Sequence, residues 1–193
     1  MNTQVINLLK TFIIVLFIPN SIFAIENKVI EDTLIGIQIG STVVKLDKKY
    51  PNLYSHKLMM GEVLYEACNQ DKLEVITFTE NPWSKSFITH IWTRQEKDQT
   101  VCRDEAGRLP DLNITIETPK GIGLGDSKEK IIRQYGEPDN VKKISIDWVV
   151  LTYVGKGELV ENMKLIFVLN SKNLVTSISL MGNIPGTHIP FSK

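Results

Sequence analysis

Residues Thr118–Pro138 read TPKGIGLGDSKEKIIRQYGEP. The glycines make a tight turn, and Asp126 can cap a helix start, with Glu129 three residues on to complete a capping box. Ile131, Ile132 and Tyr135 recur at helical spacing and form one apolar face. Gly136 supplies a left-handed cap, and Pro138 prevents the helix from continuing. A looser copy lies upstream at Thr33–Pro51, TLIGIQIGSTVVKLDKKYP. There Ser41-Thr42 can cap a helix over residues 42–49, Val43, Leu46 and Tyr50 share a face, and Pro51 ends it. At an offset of 85 the two stretches share Thr, Gly, Ile, Gly, Lys and Tyr. At an offset of 87, Ser84–Ile91 (SKSFITHI) matches Ser171–Ile178 (SKNLVTSI). Turn, helix, aromatic stop and last strand recurring in one order point to an internal duplication.

Three strand-like runs follow the first helix, over residues 62–68, 73–79 and 87–93, the last two joined through the Asn81-Pro82-Trp83 turn. Residues 113–117 (NITIE) alternate and read as a strand leading into Thr118. Further strands are expected over 147–154, 163–169 and 174–181, with Asn170–Asn173 as a hairpin turn. The fold class expected is α+β: two tandem units, each a short helical segment packed on an antiparallel three- to four-stranded sheet, the two sheets open to joining into one. The divisions are residues 1–24 as a signal, 25–108 as a first unit and 109–193 as a second.

Strict alternation puts Phe87, Thr89 and Ile91 on one face of their strand and Ile88, His90 and Trp92 on the other. The matching run sets Leu174, Thr176, Ile178 and Leu180 against Val175, Ser177 and Ser179. The more apolar set should meet the helix, leaving His90 and Trp92 on the open face.

The first 24 residues carry Lys10, an apolar run over residues 12–18 and the small residue Ala24, the parts of a secretory signal. A retained anchor is the alternative, but the run is well short of the roughly 20 residues a span requires. No Cys lies there to carry a lipid. The expected location is periplasmic or secreted, with no stable membrane anchor after signal removal. With 22 basic and 22 acidic residues, the chain has no net field to draw nucleic acid or an anionic surface. Cys68 and Cys102 are the whole cysteine count and most simply pair as one disulfide, two buried thiols being the alternative. Closing a loop of that length stabilises the fold by about 4 kcal/mol in the chain-entropy account.

The pattern Gly-Ile-x-Leu-Gly-Asp-Ser-x-x-x-Ile-x-x-x-Tyr-Gly-x-Pro, followed by a meander ending in Leu-Val-Thr-Ser-Ile, resembles the BamE/SmpA and β-lactamase-inhibitor-protein superfamily. The resemblance covers residues 118–181 well and 33–93 more loosely. It implies a non-enzymatic protein-binding module, exported, in which a short helical segment packs on an antiparallel sheet. The chain departs from the family in its missing lipid-bearing Cys, its single cysteine pair and Pro51 in place of a helix-ending Gly.

The glycines 121, 123 and 125 run GxGxG rather than GxGxxG, and no Lys-Ser/Thr pair follows, so they read as structural turns and not a phosphate loop. His56, His90 and His188 are scattered, no spacing supplies a metal site, and no Ser/His/Asp order or paired carboxylate supports catalysis. No cofactor and no metal are expected, and the chain is read as a non-enzyme. Candidate protein-binding residues are His90 and Trp92, then Trp83 and Tyr153, because exposed aromatics amid polar neighbours are what binding patches contain. The competing reading places Trp92 beneath the connector that carries Cys102. The expected partner is another envelope or extracellular protein; a small-ligand carrier or enzyme with a site between the units, and a structural envelope component, are the alternatives.

Overall fold

The computed structural model describes residues 30–58, 61–80, 86–95, 102, 109–112 and 114–184. The signal, Trp83, Asn113, His188 and the tail beyond Ile184 lie outside them. In chain order the elements are β1 (Thr33–Leu34), β2 (Ile37–Gln38), α1 (Val43–Lys49), β3 (Tyr54–Lys57), β4 (Val63–Asn69), β5 (Glu74–Glu80), β6 (Ile88–Gln95), α2 (Lys128–Tyr135), β7 (Asn140–Lys143), β8 (Val149–Gly155), β9 (Glu161–Leu169) and β10 (Val175–Asn183). The eight strands β3–β10 form one antiparallel sheet in the order β3-β4-β5-β6-β10-β9-β8-β7.

This corrects the expected α+β class. The described chain is mostly strand, and instead of two helix-on-sheet units there is a single large sheet on which both short helices lie. The joint is β6 against β10, registered from Arg94–Ser177 to His90–Met181. Each would otherwise be an edge with a row of unpaired backbone groups. Pairing also joins the cores, since one row of side chains runs Tyr65, Phe78, Ile91, Leu180, Leu165, Tyr153 from strand to strand. Phe78, Ile91 and Tyr153 in that row are fully buried. Leu46 of α1 and Ile131 of α2 seal the same side.

A second reason separate units fail is that each lead-in segment fastens to the opposite half of the chain. Ile30 N–H donates to Lys156 O, the Glu158 N–H donates to Asp32 Oδ2 at 2.7 Å, and the Tyr135 hydroxyl donates to Glu31. In return, Asn69 Nδ2 donates to Ile114 O at 2.6 Å and Glu74 accepts from the Ile116 N–H. Residues 114–117 are therefore a clasp and not the strand their alternation suggests; only Glu117 forms an isolated bridge, to Gly123.

The glycine turns are built alike. Gly36 and Gly121 have φ of +72° and +71°, and Gly40 and Gly125 have +85° and +84°, left-handed values that cost a side chain free energy. Gly40 N–H donates to Ile88 O and Gly125 N–H to Val175 O, each at 2.8 Å, which ties both turns to the last strand of their half. Helix α2 is capped by Ser127, whose hydroxyl accepts from Lys130 N–H, and not by Asp126. Asp126 instead accepts from Gly123 N–H at 2.7 Å and from Lys130 Nζ at 2.8 Å, so its carboxylate holds the turn closed.

Asp32→Ala should lower urea stability by about 1–2 kcal/mol, since it strips hydrogen bonds from Glu158 N–H and Gln38 Nε2. The unfolding should remain one transition by both fluorescence and far-UV circular dichroism; two separated transitions would show that the halves fold independently.

Candidate functional site

With both helices on one side, the other side of the sheet carries a different set of side chains. Its middle row crosses all eight strands: Tyr54, Glu66, Thr77, Trp92, Ser179, Ile166, Thr152 and Asn140. Trp92 stands at the centre, beside Thr77 and Ser179. Thr77 is fully buried and its hydroxyl donates to Glu66 Oε1 at 2.9 Å. Trp92 itself is half-buried. The Arg94 guanidinium lies over its ring at 4.7 Å from the centroid, a cation–π contact that stiffens both side chains.

The alternation of β6 and β10 is broken in the same place by a bulge. Thr89 is the extra residue between Ile88 and His90, and Thr176 the extra residue between Val175 and Ser177. Each threonine hydroxyl donates across the bulge, to Thr79 O and to Val168 O. A bulge turns the following parity over, so Ile88 and Val175 enter the core, contrary to strict alternation, while His90 and Trp92 keep the open face.

His90 Nε2 and Ser179 Oγ are 2.7 Å apart, a hydrogen bond across the β6–β10 joint. Burial lowers the His90 pKa to about 4, so the ring is neutral at physiological pH. A base of that strength takes a proton weakly at neutral pH, and no carboxylate bonds its other nitrogen among the described residues. Beside it lies a cavity of about 530 Å³ whose lining includes Glu62, Thr79, His90, Val154, Asn162, Lys164 and Met181.

One corner of the face is covered. Cys68 and Cys102 are joined as a disulfide, with Cα atoms 5.6 Å apart. With Leu109 they bury Val75 in a small satellite core that Tyr54 and Leu73 flank. Among the described residues Trp92 is not part of that cluster, and the rest of the connector carrying Cys102, residues 96–101 and 103–108, lies outside them. Beside it, residues 110–112 run along β4 where β3 stops, with Cys68 N–H donating to Pro110 O and Leu112 N–H to Cys68 O.

Of the sequence candidates, His90 and Trp92 come together on the open face, and Trp83 lies outside the described residues. Tyr153 does not join them. It is fully buried on the helix side, its ring against Tyr135 and Phe167 and its hydroxyl donating to Gly136 O at 2.9 Å. Burial and the nearby Glu137 and Asp139 push its pKa up to about 12. A partner cannot reach it. Sequence reading passed over Arg94 and Lys164, and it set Ser179 on the less apolar face without its contact to His90, which depends on β6 and β10 being neighbours. Among the described residues no cluster of three or more His, Cys, Asp or Glu could hold a metal ion, and no helix is long and apolar enough to cross a membrane.

No protein-family model matches the chain, and no curated protein matches it in sequence. Among solved structures it is similar to the DUF4309-family protein YjgB of Bacillus subtilis, at 14% identity over 77% of this chain and 84% of that one, with a TM-score of 0.35. So low a score carries no conclusion about fold or function.

His90 predicts a pH dependence. Its folded pKa lies below the unfolded value of 6.5, so its stabilising contribution is complete above pH 6.5 and is lost as pH falls toward about 4. The loss over that window is about 3 kcal/mol at most. His90→Gln, measured by urea unfolding from pH 7 to pH 4.5, should lose less stability than the parent; equal losses would mean that His90 is solvated.

Proposed function

We propose that this protein acts outside the cytoplasm by binding another protein through the open face of its sheet, without catalysing a reaction on it. The observation that carries this reading is Trp92. A large aromatic held half-buried at the centre of an eight-stranded sheet, stacked by Arg94 and ringed by Thr, Ser and His side chains, has the composition of an interface hot spot. A rigid sheet also holds such a patch ready-formed, so little ordering cost falls on association. The disulfide suits an oxidising compartment, in keeping with the leader read at residues 1–24. The BamE/SmpA and β-lactamase-inhibitor-protein resemblance supports the same class of function, as analogy.

A second reading has one observation in its favour. The cavity beside His90 joins residues from both halves of the chain and combines the apolar Met181 and Val154 with the polar Asn162 and the charged Lys164 and Glu62, which suits a small polar molecule. A protein that carries such a molecule should retain it through purification, and native mass spectrometry would show the added mass.

The binding reading is tested with the exported protein as bait in envelope extract or culture fluid. A captured partner should bind Trp92→Ala about thirtyfold more weakly, the scale of a hot-spot truncation, and His90→Ala by a smaller factor. Tyr153→Phe should leave capture unchanged while lowering stability by about 1 kcal/mol. Undiminished capture by a folded Trp92→Ala variant would remove the open face from the interface.

A further inference from the structure

The strongest departure from ordinary surface composition lies away from the open face, on the hairpin joining β7 to β8. The end of β7, Val141-Lys142-Lys143, leads into the tip, Ile144-Ser145-Ile146-Asp147-Trp148. Ile146 is 86% exposed, Ile144 61%, Val141 53% and Trp148 42%. Single exposed apolar side chains are common, but four within eight residues of one hairpin, three of them in its loop, mark a contact surface.

The tip is also ordered. Ile144 N–H donates to Trp148 O at 3.0 Å, and Asp147 N–H donates to Ser145 Oγ at 3.2 Å. The loop closes on itself with its isoleucines exposed, and several of its backbone donors are already satisfied. That lowers the cost of placing it in a medium poor in water. Lys142 and Lys143 stand immediately before Ile144, exposed and without an ion pair among the described residues.

We propose that this tip is a membrane-contact site. Ile144 and Ile146 enter the interfacial layer of a phospholipid bilayer, Trp148 lies at headgroup level, and Lys142 and Lys143 meet anionic headgroups. One feature favours lipid over a protein groove or a second copy: exposed isoleucines at the tip, a tryptophan at its shoulder and two exposed lysines beside it are the arrangement that suits a membrane interface. Only a few side chains insert and the chain as a whole is uncharged, so the contact is weak and reversible, distinct from an anchor.

The test uses the protein purified after export, with its N-terminus sequenced to show that residues 1–24 are gone. It is sedimented with vesicles of phosphatidylcholine alone and with vesicles of phosphatidylcholine and phosphatidylglycerol in equal parts. Binding should be stronger on the mixed vesicles and fall with salt. Ile146→Asp should weaken it by about tenfold or more. The double variant Lys142→Ala/Lys143→Ala should weaken binding to mixed vesicles by about thirtyfold, leaving the phosphatidylcholine binding unchanged. With Trp83→Phe and Trp92→Phe in place, Trp148 emission should shift to the blue on adding mixed vesicles. Val44→Asp, which removes a 72%-exposed valine from α1, is the control and should bind as the parent does. Three results overturn the proposal: no sedimentation of the folded parent with mixed vesicles; equal loss in Val44→Asp and Ile146→Asp; or self-association in ultracentrifugation that Ile146→Asp abolishes while vesicle binding persists.

Discussion

The pairing of β6 with β10 is the interaction on which the rest of the structure depends. It makes one sheet of what would otherwise be two short ones, each with a long apolar edge. Ile91 and Leu180 face each other across it, buried among Phe78 and Leu165. Burying side chains of this size contributes about 1.5–3 kcal/mol apiece, so the joint ties the two halves through packing as well as backbone hydrogen bonds. Ser177 adds a polar stitch by donating its hydroxyl to Thr93 O. The same pairing completes the open face, because Ser179 meets Trp92 and His90 only once these strands are neighbours.

Much of this was legible in the chain. The glycine turns, both helices and the six longer strands follow from local periodicity and turn chemistry, and each lies within a few residues of its expected place. The cysteine pair followed from counting. What local reading could not reach was non-local. The edge strands Tyr54–Lys57 and Asn140–Lys143 are short and polar, and they are strands because β4 and β8 offer them partners. Residues 114–117 alternate like a strand, yet Asn69 and Glu74 claim their backbone groups first. The two threonine bulges reverse side-chain parity at Ile88 and Val175, and alternation alone cannot anticipate an inserted residue.

The candidate site was legible to the same depth. His90 and Trp92 fell on the open face because their positions lie beyond the bulge, where parity is regular again. Tyr153 was misplaced because a tyrosine in a strand looks alike in sequence whether its hydroxyl reaches water or Gly136 O. The exposed tip at Ile144–Trp148 passed unnoticed for a related reason. Ile-Ser-Ile-Asp-Trp alternates as a buried strand would, and only the closed turn between β7 and β8 puts it outside the core.

Hydrogen exchange resolved by residue tests the central claim, that one cooperative sheet runs through the β6–β10 joint. The amides of Ile91, Thr93, Ile178 and Leu180 should be among the slowest in the protein and exchange at a common rate, as amides released only by global unfolding do. Fast exchange in β6 and β10, with protection confined separately to β4–β5 and β8–β9, would contradict it and leave two sheets that merely touch.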